Sequence, residues 1–299
     1  MADFVALTWV VTMLEKSIVV LGLPESGKTT YLAALWHLLQ ARKVDSKLKA
    51  PRLRAGEAPH LNEIARRWLA GRKQERTSQD KNRTVTMELD SVAGDQFVLA
   101  FPDVAGEAFA QIWEERECDA EVISSLGARG VLLFIHATDI KVPNWIADEA
   151  QLSKRLGIER AKGETIPWEP RFAPTQVQLV DLLRCLQEPP LNVGSRRLAI
   201  ALSAWDLAEG EMQTPEEYLA MHLPLLNQYL HHGLHPEWEM KVYGISAQGA
   251  EYDGDGEADE PSAGAKKMRD LEVPSERINV VDGATKSHDL TAPLFWLLD

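Results

Sequence analysis

Eight residues near the amino end have the types and spacing to hold a phosphate. Gly22-Leu-Pro-Glu-Ser-Gly-Lys-Thr29 matches G-x-x-x-x-G-K-[ST]. Glycines at 22 and 27 let backbone N–H groups curl around phosphate oxygens, where a Cβ would obstruct them. Lys28 would reach the β- and γ-phosphates, and the Thr29 hydroxyl would ligand Mg²⁺. With Pro24, Glu25, Ser26 and Thr30 these residues make one candidate cradle. A glycine turn with a solvated lysine would give the same letters. Context favours the cradle: an apolar strand, Ile18 to Leu21, precedes it, and a helix follows whose N-terminus carries partial positive charge.

A second acidic motif supports the first. The apolar run Gln96 to Phe101 leads into Pro102-Asp103-Val104-Ala105-Gly106-Glu107. Asp103, at the end of a buried strand, would hold Mg²⁺ directly or through water, and the Gly106 N–H would meet a γ-phosphate. Alone, D-x-x-G is an ordinary turn; one hairpin after a phosphate loop, it reads as part of the site. Two further strand ends carry Ser203-Ala204-Trp205-Asp206 and Ser246-Ala247-Gln248-Gly249.

The elements that must position these residues follow in order. Helix one, Thr29 to Arg42, sets Leu32, Leu35, Trp36 and Leu39 on one stripe, with His37 on the helix surface. Residues 42–83 are polar and basic, with one helical pattern, Leu61, Ile64, Ala65, Trp68 and Leu69, ended by Gly71. Arg72 to Thr77 lacks an apolar period and reads as a mobile loop. Thr84 to Leu89 and Gln96 to Phe101 form a hairpin about Ala93-Gly94-Asp95. Gly130 to Asp139 is a strand apolar on both faces, with His136 inside it as a satisfied core residue.

Residues 141–174 read as an irregular insertion. Gln176 to Leu186 reads as a helix with Val177, Val180, Leu183 and Cys185 inward. Arg197 to Ala204 is the next strand. Thr214, Pro215 and Glu217 form a capping box for a helix running to about His232. His231, His232 and His235 read as a solvated helix end and loop. Trp238 to Ser246 is the last central strand. Residues 251–276 turn acidic and read as a disordered excursion. Arg277 to Val281 is an edge strand, and Leu290 to Leu298 a closing helix. The order predicts an α/β fold, a doubly wound, mostly parallel sheet with helices on both faces and large insertions. All 299 residues then form a single domain. Its core is 17–249, with insertions at about 42–76 and 141–174, and 277–299 closes it.

Composition narrows the class. The formal net charge is −13, which argues against nucleic acid or an anionic membrane as the main partner. Two cysteines, Cys118 and Cys185, lack C-x-x-C spacing, so a reducing cytoplasm fits better than a disulfide framework. Phe4 to Leu14 is apolar but too short to span a bilayer. It reads as an extra strand or helix on the sheet, or as a partner-docking segment.

The four motifs resemble those of the Ras-like, TRAFAC-class P-loop GTPases, and more narrowly the bacterial double-GTPase families found in conflict systems. The resemblance covers roughly Ser17 to Gly249. It implies binding of GTP and GDP with Mg²⁺, slow hydrolysis, and a nucleotide-controlled switch. Protein partners, including a second GTPase, would read its switch segments. Asp206 would accept hydrogen bonds from guanine N1–H and N2–H₂; the Ala247 N–H, flanked by Ser246 and Gln248, would meet O6. Trp205 packs near the base or in the core. Ser203 and Ala204 stand where the family has Asn and Lys, so guanine preference rests mostly on Asp206. Glu107 replaces a water-orienting Gln and would handle the attacking water. Switch I needs a threonine for Mg²⁺, Thr77 or Thr84, with Thr77 favoured; Arg76 or Arg72 could act as an arginine finger in cis. Pro24 would crowd a finger in trans. A non-hydrolysing nucleotide-binding scaffold and an ATPase of similar layout are the alternatives.

Overall fold

The computed structural model describes residues 16–53, 56–74, 83–103, 113–117, 120–143, 154–155, 167–208, 214–254 and 262–299. Phe4 to Leu14 lies outside them. The strands are β1 (Ser17–Gly22), β2 (Leu48–Leu53), β3 (Arg83–Ser91), β4 (Gln96–Asp103), β5 (Gly130–His136), β6 (Arg197–Ser203), β7 (Glu239–Ser246), β8 (Asn279–Asp282) and β9 (Thr285–Ser287). They form one nine-stranded sheet in the order β2-β3-β4-β1-β5-β6-β7-β8-β9. The five central strands, β4 to β7, run parallel, and antiparallel strands extend both edges.

Helices cover both faces, which is why β1, β5 and β6 are apolar without alternation. Ile18 and Val20 of β1 join one core, with α1 (Lys28–Ala41), α2 (Ala58–Leu69) and α9 (Thr291–Leu298). Val19 and Leu21 join the other, with α3 (Ala120–Leu126), α4 (Thr175–Cys185), α6 (Pro215–His222) and α7 (Pro224–His232). Two short helices, α5 (Trp205–Ala208) and α8 (Ala263–Arg269), flank the carboxyl end of the sheet. No helix among the described residues is long and apolar enough to cross a membrane.

Several expectations change. The polar segment after α1 contains β2, an antiparallel edge strand on β3. Its Pro51 hid it, yet an edge strand tolerates proline because one side of the strand needs no partner. Arg72 to Gln74 is tethered rather than loose: Lys73 N–H donates to Asp253 O at 2.9 Å and Asp253 N–H to Gly71 O at 3.1 Å. In α4 the inward stripe is Leu179, Leu182 and Leu183, followed by Leu186, while Val177 is exposed. The phase was one residue off.

The helix after the Thr214 capping box stops at His222, because Pro224 lacks the N–H an uninterrupted helix needs. The capping box itself is present. In the acidic stretch, Ser262 caps α8, and Ala265 and Met268 are buried; the small and basic half of that stretch is helical, not irregular. β8 is not the edge, since β9 folds back on it through Gly283 at φ 55°. His231, His232 and His235 are exposed at the end of α7, and no group of three or more His, Cys, Asp or Glu among the described residues could hold a metal.

Candidate functional site

The carboxyl ends of β1, β5, β6 and β7 converge, and the sequence motifs lie on them. β1 ends at Gly22, paired with Phe134 of β5. A Cβ at Gly22 would stand 2.6 Å from Phe134 O and 2.6 Å from Ser26 Oγ. Gly27, at φ 89°, caps α1 and faces Ser203, whose Oγ would lie 3.1 Å from an added Cβ. Both glycines are therefore dictated by space and conformation. Glu25 adopts a left-handed φ of 62°, so the loop doubles back on itself between the glycines.

Lys28 lies over this loop. Its ammonium donates to Gly22 O at 2.8 Å, Leu23 O at 2.9 Å and Ser26 Oγ at 3.3 Å. A cation held by three neutral oxygens is placed to serve an anion in the same cradle. Thr29 and Thr30 begin α1, half-buried, and Pro24 is exposed on the loop.

Ser203 contributes a contact that sequence reasoning missed. Buried at the end of β6, it donates Oγ–H to Ser26 O at 2.8 Å. A hydroxyl can thus tie β6 to the phosphate loop although it is shorter than the expected Asn. Ala204 follows in the left-handed region, φ 53°, and turns the chain into α5. Asp206 is exposed, and its amide donates to Ser246 Oγ at 2.7 Å. That bond joins two motifs 40 residues apart. Burial pushes the Tyr252 phenol pKa up against the opposing pull of Arg277, and the Asp206 charge adds to the rise.

Trp205 packs in the core. It is 1% exposed, edge-on to Tyr218 with ring centroids 5.4 Å apart. Gly244 of β7 makes room for it: a Cβ there would come within 2.6 Å of the indole. Ser246 and Ala247 are buried and Gln248 half-buried; Gln248 Nε2 donates to Ala250 O at 2.7 Å.

Asp103 is the last residue of β4, beside β1. Val19 of β1 pairs with Ala100 of β4, three residues before Asp103. Arg76, Thr77, Gly106 and Glu107 lie outside the described residues. Thr84 lies within β3, opposite Pro102, and Arg72 is bridged to Asp253 at the end of α2.

Two histidines differ from expectation. His136 is half-buried, not in the core. It lines a cavity of about 210 Å³ beside Pro24 to Ser26, along with Trp113, Lys141 and Gln178. The strand run ends at His136, so its ring escapes the sheet. His37 is not a surface residue: α2 packs over α1 and stacks Trp68 against it, centroids 5.1 Å apart. Burial, then Arg277, lowers its pKa.

Fold and cradle together define a P-loop nucleotide-binding protein on a doubly wound sheet. The chain belongs to the Double-GTPase 1 family, whose model matches residues 19–297. No curated protein sequence matches it. Among solved structures it is similar to the Ski7 GTPase-like domain of S. cerevisiae bound to GTP, at 14% identity and TM-score 0.39, covering 87% of this chain and 51% of that one. It is also similar to a Sulfolobus solfataricus GTP-binding protein in complex with GDP, at 13% identity, TM-score 0.33, and 83% and 50% coverage. A third is the signal recognition particle receptor SRb-GTP/SRX complex of Chaetomium thermophilum, at 15% identity, TM-score 0.37, and 81% and 93% coverage. The chain spans about half the length of the first two.

Proposed function

We propose that this chain binds Mg²⁺·GTP, hydrolyses it slowly to GDP and phosphate, and acts as a nucleotide-controlled switch read by protein partners. By analogy with the families its motifs resemble, those partners include a second GTPase in a bacterial conflict or defence setting. One observation carries the reading. Lys28 lies across the Gly22–Thr29 loop, and Ser203 and Ser246 tie that loop and Asp206 to the same carboxyl end of the sheet.

The roles follow from chemistry. Lys28 and the loop amides hold phosphates. Thr29, Thr77 and Asp103 supply hard oxygen ligands of the kind Mg²⁺ takes beside phosphates and water. When bound, Mg²⁺ neutralises charge that develops on the phosphates. The Gly106 N–H meets the γ-phosphate. Glu107 orients water; its charge opposes the γ-phosphate, which keeps turnover slow. Arg76 offers positive charge in cis. The Asp206 carboxylate accepts from guanine N1–H and N2–H₂, a pair of donors adenine lacks, and the Ala247 N–H donates to O6.

Binding of fluorescent GDP and GTP with Mg²⁺, competed with ATP, tests this on wild type and Lys28→Ala. Binding that resists ATP and falls at least about tenfold in Lys28→Ala, the size of a lost charge-assisted hydrogen bond, supports it. Absence of binding, or displacement by ATP, overturns it. Multiple-turnover phosphate release then separates a GTPase from a scaffold.

A further inference from the structure

The loop after β7 is held from outside by a buried cluster. Trp68 of α2, 0% exposed, donates its Nε1–H to Ala247 O at 2.8 Å. The Arg277 guanidinium lies 4.2 Å from the Trp68 ring centroid. It donates to Trp68 O at 2.9 Å, Tyr252 OH at 2.8 Å, Met268 O at 2.9 Å and Pro274 O at 3.1 Å. Tyr252 OH donates in turn to Gln248 O at 3.0 Å. Gly249, at φ 80°, passes so close that a Cβ would stand 2.7 Å from Arg277 O.

Two consecutive carbonyls, those of Ala247 and Gln248, are thus drawn to the same cluster. In a trans peptide the N–H points opposite its C=O. The N–H groups of Gln248 and Gly249 are therefore turned away from Trp68 and Tyr252. Fixing these peptides also fixes the backbone that carries the Ala247 N–H, and the Asp206–Ser246 bond pins its other end.

We propose that Trp68 and Arg277 are positioning residues that set base selectivity, by holding the Ser246–Gly249 backbone so that its amide donors meet a purine keto oxygen. The proposal rests on the GTP reading above. Amide donors complement the O6 of guanine and repel the amino group that adenine carries there. The cluster joins α2 to the base-side loop from buried positions.

The test compares dissociation constants of wild type and Trp68→Phe for two Mg²⁺-bound nucleotides. One is GDP; the other is the diphosphate of 2-aminopurine riboside, which keeps the 2-amino group and lacks O6 together with the N1–H. Phenylalanine keeps a ring under Arg277 and removes the N–H. Wild type is expected to prefer GDP. Trp68→Phe is expected to narrow that preference roughly three- to tenfold, the scale of one neutral hydrogen bond, with the 2-aminopurine constant little changed. An equal loss for both nucleotides would show that Trp68 only supports the fold, and would overturn the proposal.

Arg277→Lys keeps the charge but not the fork that reaches four oxygens, and is expected to shift the preference in the same direction. Should Trp68→Phe fail to fold by circular dichroism, Arg277→Lys decides, and an unchanged preference there overturns the proposal. A wild type that binds neither nucleotide removes the GTP reading and this inference together. A wild type that prefers GDP, with both variants unchanged, removes this inference alone.

Discussion

Asp206 is exposed at the start of α5, its amide fixed by Ser246. A carboxylate there selects a base edge with two donors. Asp206→Asn turns one acceptor into a donor and suits xanthine, whose position 2 is a keto oxygen. The variant is expected to lose at least about tenfold in GDP affinity and to gain affinity for XDP, read by competition binding. His37 answers to pH instead. Burial against Trp68 lowers its pKa, while the unfolded chain titrates near the ordinary value of about 6.5. Between these values the unfolded state holds more protons, so stability is full above about pH 6.5 and falls as pH drops through the lowered value. Urea midpoints at pH 7.5 and 5.5 should therefore differ more in wild type than in His37→Phe. The Gly22–Thr29 pattern was legible because its residues are neighbours in the chain. The Arg277–Trp68 contact was not, because it joins positions 209 apart, and no local pattern marks a buried arginine that bonds carbonyls.

Strands were easier to read than helices. β1, β5, β6 and β7 are short apolar runs ended by turn residues, and they stand close to where the sequence put them. Helix phase depends on what packs on top, so Val177, inward by its period, lies outward. Pro224 marked a break plainly, yet the capping box at Thr214 and the apolar run after it masked the stop. Trp205 was ambiguous from sequence alone; Gly244 on the adjoining strand decides it. Gly244→Ala places a methyl 2.6 Å from the indole. Overpacking of this kind costs about 1–3 kcal/mol. The urea midpoint should fall with an unchanged slope, and nucleotide affinity should drop as α5 shifts Asp206.

Across the whole molecule the sheet is guarded at both edges. β2 carries Lys49, Pro51 and Arg52, and β9 has three residues, devices that discourage pairing with another chain. α9 locks the sheet from beneath: Tyr31 OH donates to Leu290 O at 2.7 Å, and Leu48 N–H to Thr291 Oγ1 at 3.1 Å. Leu294, 0% exposed on that helix, is expected to cost about 2–5 kcal/mol on change to Ala, read by urea unfolding. Asp253 and Ser262 meet through a 3.0 Å bond from Ser262 N–H to the Asp253 carboxylate, and Arg269 braces Asp253 from α8. The described chain on either side of residues 255–261 is thus joined at Asp253 and Ser262. Lengthening a segment whose two ends are already held together costs only about 0.6 kcal/mol per doubling. A reporter peptide or fluorophore spliced between 255 and 260 would therefore ride on the intact protein, a few residues from Tyr252 and the base-side loop, and signal from there.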